Sequence, residues 1–84
     1  MFLHVVQVTH LKDFALRVEF SDGSVRDVDP SDELDGEIFE PLQDPDFFSK
    51  VAVNPEAGTI EWPNGADLAP EFLHEKGENA EQLT

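Results

Sequence analysis

Eighty-four residues leave room for one domain and one core, and a chain of this size buries only about 60% of the surface that it exposes unfolded, so it folds alone with little margin. Against 19 aspartates and glutamates stand Lys12, Arg17, Arg26, Lys50 and Lys76, for a formal net charge of −14, which argues against direct nucleic-acid binding and favours encounter with a basic protein partner. The absence of cysteine excludes a disulfide framework, a thiolate metal site and a cysteine nucleophile, and the lack of a leader pattern or of any apolar run near ~20 residues reads as a cytoplasmic chain with no membrane partner.

In chain order, the Val and Thr content of Leu3 to His10 predicts a first strand, interrupted at Lys12-Asp13. Phe14, Leu16, Val18 and Phe20 alternate with Ala15, Arg17 and Glu19, the period-two pattern of a strand with one buried face. Ser21-Asp22-Gly23-Ser24 carries an Asp-Gly turn signal, so a hairpin should return the chain through Val25 to Asp29. Val25 and Val28 lie three apart instead of two, which predicts a bulge or an early end to that strand.

Between Asp27 and Asp46 there are nine acids and no base. Asp29, Asp32, Glu33, Asp35 and Glu37 form the candidate acidic face, while Leu34, Ile38, Phe39 and Leu42 predict packed helical turns, broken at Gly36 and Pro41, instead of a disordered stretch. Asp44-Pro45-Asp46 then reads as a helix start, with Asp44 as cap, Pro45 first and Asp46 near the positive dipole end, and with Phe47 and Phe48 sealing the core. The helix is short, because Val51-Ala52-Val53 resumes strand character before a turn from Asn54 to Gly58.

The most specific stretch runs from Gly58 to Leu73. Thr59 to Trp62 reads as a short strand with Ile60 and Trp62 on one side and Thr59 and Glu61 on the other. Pro63 fixes φ and removes a ladder donor, and Asn64 and Gly65 tolerate turn dihedrals, so the chain reverses after Trp62. Asp67 is placed to cap a helix that begins between Leu68 and Pro70 and buries Phe72 and Leu73. Trp62, Pro63, Asn64, Gly65 and Asp67 are thus the candidate binding loop, though the plainest roles for Asp67 and Trp62 are helix cap and core anchor. Residues 1–75 are expected to form the domain and 76–84 a flexible acidic tail.

Spacing tests exclude most chemistry. Setting Gly36 at the sixth position of a calcium loop puts Ser31 first and Leu42 twelfth, which fails at both end ligands. His4 and His10 on one strand are separated by ~20 Å, too far to share an ion, and His74 has too few neighbouring ligands. No metal or cofactor site is therefore expected. No serine stands in a nucleophile turn and no glycine-rich phosphate loop exists, so catalysis is not expected either.

The segments Phe20-Ser21-Asp22-Gly23, Phe39-Glu40-Pro41-Leu42-Gln43-Asp44 and above all Ile60-Glu61-Trp62-Pro63-Asn64-Gly65-Ala66-Asp67-Leu68-Ala69-Pro70 resemble the small bacterial proteins of domain of unknown function family 2442. The resemblance runs from about Val5 to Glu75. It implies no assigned activity or catalytic residue. Similar domains occur alone or fused to a helix-turn-helix, and standalone members are often encoded beside another small protein, as in toxin–antitoxin pairs. No helix-turn-helix pattern is legible here, a further argument against DNA binding.

The expected architecture is a two-layer α+β domain: an antiparallel β-meander of about three strands, short helices, a second strand pair and a closing C-terminal helix. Three functional readings follow: an antitoxin-like regulatory module that docks a basic protein, a sensor that binds a small polar ligand in the Trp62 to Asp67 loop, and a mimic of DNA.

Overall fold

The protein is described by a computed structural model over residues 3–79. Strands β1 (Val5–Lys12), β2 (Ala15–Phe20) and β3 (Val25–Val28) form an antiparallel meander. β1 starts later than expected and runs on to Lys12, because Asp13 accepts a left-handed φ of +47° and lets the chain reverse through Asp13 and Phe14. Along β2 the expected alternation holds, with Leu16, Val18 and Phe20 buried and Arg17 and Glu19 exposed. The irregular valine spacing in β3 resolves as an early end: the register runs unbroken from Glu19↔Val25 to Leu16↔Val28 and stops there.

The acidic stretch is held by two 3-10 turns, Ser31–Glu33 and Glu40–Gln43. Gly36 provides the expected break, at φ +94°. Pro41 does not break the second turn; it lies within the first turn, where a missing N–H is harmless. Leu34 and Leu42 are buried and Phe39 half-buried, but Ile38, expected to pack, is 48% exposed. Helix α1 (Pro45–Phe48) follows, capped as expected by Asp44, whose carboxylate accepts from the Asp46 amide at 3.1 Å. Phe48 is fully buried and Phe47 only half, with the Lys50 ammonium over its ring.

A second antiparallel sheet contains β4 (Ala52–Asn54), β5 (Thr59–Glu61) and β6 (Asp67–Leu68), so the expected strand pair gains a third member. Gly58 makes the turn into β5 at φ +71°, and its carbonyl oxygen accepts from the Val5 amide, tying the second sheet to the start of β1. A Cβ there would stand 2.9 Å from the His4 Cβ, so glycine is required for closeness as well as for dihedral. Thr59 is not turned outward as expected. It is buried, and its hydroxyl donates to the Leu68 carbonyl, which offsets the cost of burying it.

Helix α2 (Pro70–Lys76) closes the fold with Leu73 buried, Phe72 half-buried and the His74 ring edge-on to Phe20 at 5.0 Å. After Gly77, β7 (Glu78–Asn79) pairs with β3 through Arg26↔Asn79 and Asp27↔Glu78 and completes a sheet of order β1-β2-β3-β7. Lys76 to Asn79, assigned from the sequence to a flexible tail, thus contribute a helix end and a strand. The rest of that segment, 80–84, lies outside the described residues. The result is the expected two-layer α+β fold with one core, formed by Leu16, Val18 and Phe20 from one sheet, Ile60 and Trp62 from the other, and Leu42, Phe48 and Leu73 between.

Candidate functional site

The loop after β5 is a tight turn most of whose polar groups bond within the turn or to the segments beside it. The Gly65 amide donates to the Trp62 carbonyl and the Trp62 amide to the Ala66 carbonyl, each at 2.9 Å, with Gly65 at φ +90°. Asn64 is committed at both ends, its Oδ1 accepting from the Ala66 amide at 3.1 Å and its Nδ2 donating to the Ile38 carbonyl at 2.8 Å. The exposure of Ile38 has its reason here, since its backbone, not its side chain, makes the contact. Beneath the turn Trp62 is 2% exposed, lies 5.4 Å from the Phe48 ring and donates its indole Nε1–H to the Phe48 carbonyl at 2.8 Å. The indole offers a ligand neither a free face nor a free donor.

Pro63, Asn64 and Gly65 form the exposed rim of this turn. Asp67 is exposed too but does not cap α2, contrary to the sequence expectation. The cap position is Ala69, without a side-chain bond, and Asp67 belongs to β6, where it pairs directly with Glu61. Alternation decides this: Leu68 enters the core, so Asp67 must point out, beside a like charge.

The second candidate surface surrounds the first 3-10 turn. Asp29, Asp32, Glu33, Asp35 and Glu37 are all exposed, held in place by the buried Leu34, whose carbonyl accepts from Gln43 Nε2 at 3.0 Å. Among the described residues, one cation is paired with this surface. Lys76, at the end of α2, stands 2.9 Å from Asp32. The hydrogen bond that Lys76 donates to Asp32 raises the lysine, with the charges of Asp32, Glu33 and Asp29 adding to it against partial desolvation, and the same bond lowers Asp32. Sequence reasoning missed Lys76, because a lysine near the end of a chain carries no signal of its spatial partners.

The other bases are largely occupied as well. Arg17 donates two bonds to Asp27 across β2 and β3, at 2.8 and 3.1 Å, which raises Arg17 and holds Asp27 below its usual range. Arg26 directs Nη1 to the Gly77 carbonyl at 3.3 Å. Asp22 is lowered by the Ser24 hydroxyl and amide and has the His74 imidazole 3.5 Å away. A surface pocket of about 320 Å³ is lined by Ala15, Asp27, Val28, Asp29 and Lys76, but its charged groups other than Asp29 already have ionic partners. Among the described residues, no group of three or more His, Cys, Asp or Glu is placed to hold a metal ion, and no helix is long and apolar enough to cross a membrane.

A family model described as "Protein of unknown function (DUF2442)" matches residues 5–79. No curated protein matches the chain. Among solved structures the chain is similar to a "Putative DNA Binding Protein" from Nitrosomonas europaea, with 26% sequence identity and a TM-score of 0.77. The match covers 99% of this chain and 52% of the other, so the chain spans about half the length of that relative.

Proposed function

The chain belongs to the DUF2442 family of proteins of unknown function, and from that premise we propose that it is a non-catalytic cytoplasmic interaction module whose acidic face docks a basic partner protein. The observation that carries this reading is the exposure of Asp29, Asp32, Glu33, Asp35 and Glu37 on one short segment, with Lys76 the one cation paired there among the described residues. Such an uncompensated surface accelerates encounter with a positive one and fixes its orientation. The Trp62 to Gly65 turn acts in this reading as a rigid bracket that holds the Ile38 carbonyl, and with it the end of the acidic segment. A sensor role for the same turn is less well supported, because its Gly65 and Ala66 amides and the indole N–H are already bonded.

The partner is proposed to be the small protein encoded beside the gene, with this chain acting as an antitoxin-like accessory. The DNA-binding description of the structural neighbour, twice as long, favours a second reading in which the acidic face occupies the basic surface of a DNA-binding protein and so mimics DNA charge. Co-expression with the neighbouring gene product and size exclusion at low salt tests the first reading. Comigration that weakens as salt rises, and that is lost when the five acids are replaced by Asn and Gln, is expected. Independent elution of the two proteins at low salt overturns it.

A further inference from the structure

We infer that the open edge of β1 is a self-association surface, at which a second copy of the chain adds its own β1 and joins the two meanders into one sheet. β1 is the longest strand, at eight residues, yet it lies at the border of its sheet, where strands are usually short or covered. Among the described residues, the one backbone hydrogen bond that β1 makes away from β2 is from the Val5 amide to Gly58. Beyond Val5 this edge has no backbone partner among the described residues, although β1 also lies near β4 and β5. Irregularities at Val6 and Leu11 bound a stretch, Gln7 to His10, that keeps regular register with β2 and offers an unbroken row of backbone donors and acceptors.

Charge identifies the occupant. In a chain with 19 acids none precedes Asp13, so β1 is the one long strand without a carboxylate, and its formal charge is that of Lys12. Two of the three large apolar side chains exposed on the described surface, Val6 at 46% and Leu11 at 41%, flank the regular stretch. A second copy brings β1 to β1, so that neither strand at the junction carries a carboxylate. Strand addition of this kind draws affinity from main-chain bonds and adds the burial of Val6 and Leu11.

This surface is distinct from the acidic face, and the two respond to salt with opposite sign. Two chains of net charge −14 repel, so screening tightens the dimer, whereas docking of a basic partner weakens under the same change. Sedimentation equilibrium of the chain alone, up to millimolar concentration and across a salt series, should report twice the 9.4 kDa chain mass, with association strengthening as salt rises. The double variant Val6→Glu, Leu11→Glu should raise the dimer dissociation constant by at least about tenfold. Thr9→Glu, at an exposed position within the regular stretch, should do the same should the double variant fail to fold. Ile38→Glu, which changes the remaining exposed apolar residue, should leave the dimer intact. A chain that stays monomeric at every salt concentration, or folded β1 variants that dimerise as tightly as the parent, overturns the inference.

Discussion

Replacing Trp62 by Phe tests whether the turn is anchored from below. The change removes the 2.8 Å indole bond to the Phe48 carbonyl, which then keeps only the longer 3.3 Å bond from the Val51 amide. Because the acceptor is not wholly orphaned, this loss is placed at the lower end of the usual range, about 1 kcal/mol. The smaller ring leaves roughly two carbon-sized groups of buried surface unfilled, at ~0.8 kcal/mol each. Together the variant should lose about 2–3 kcal/mol, against a total of roughly 4–12 kcal/mol for a domain of this length. The melting temperature should fall by roughly 10–20 °C. Urea and thermal unfolding followed by far-UV circular dichroism measure this directly. In the parent protein, Trp62 fluorescence should be blue-shifted and protected from acrylamide until the same transition. A variant that loses less than about 1 kcal/mol, or a parent indole quenched as freely as in urea, would show that the turn does not depend on the core beneath it.

Gly58→Ala should cost more than Gly65→Ala: both sites need positive φ, at about 1–2 kcal/mol for alanine, but a Cβ at Gly65 meets nothing whereas one at Gly58 strikes His4. Equal urea midpoints for the two variants would refute the contact. Asp67→Lys turns the Glu61–Asp67 cross-strand repulsion into attraction and should stabilise by about 0.2–1 kcal/mol, a gain that disappears in a Glu61→Gln background. Asp22, Asp27 and Asp32 are lowered in the folded state, so each binds a proton more readily when unfolded. Their contribution is complete above the ordinary carboxylate range near ~3.9 and is lost as pH falls through the lowered values. All three are solvent-screened, so a modest acid limb is expected, and Arg17→Met should flatten it by removing the partner of Asp27. At neutral pH, moderate salt should raise the urea midpoint by screening a net charge of −14; a flat or falling midpoint would mean that the carboxylates do not repel across the fold.

Much of this architecture is legible in the chain because it rests on local rules. The alternation in β2, the Asp44-Pro45 helix start and the Pro63-Asn64-Gly65 reversal each depend on residues within one turn of one another, and all three appear where the pattern places them. Readings went astray where a residue's role depends on a distant part. Asp67 reads as a cap until Leu68 is drawn into the core and the strand period turns Asp67 outward. Thr59 reads as a solvent residue until the Leu68 carbonyl meets its hydroxyl, and Ile38 as a core residue until Asn64 captures its backbone instead. Lys76 to Asn79 have no local reason for order, and gain it from Asp32 and from the free side of β3.

By itself, then, the sequence determined the strands, the turns and the sign of the surface, because dihedral preference, hydrophobic period and charge count are properties of neighbours along a chain. Only the tertiary structure decided which carboxylates keep a cation, where Trp62 sends its N–H, and that the long acid-free strand lies at an open edge. Those are properties of residues brought together across the fold, and no spacing along the chain encodes the distances that set them.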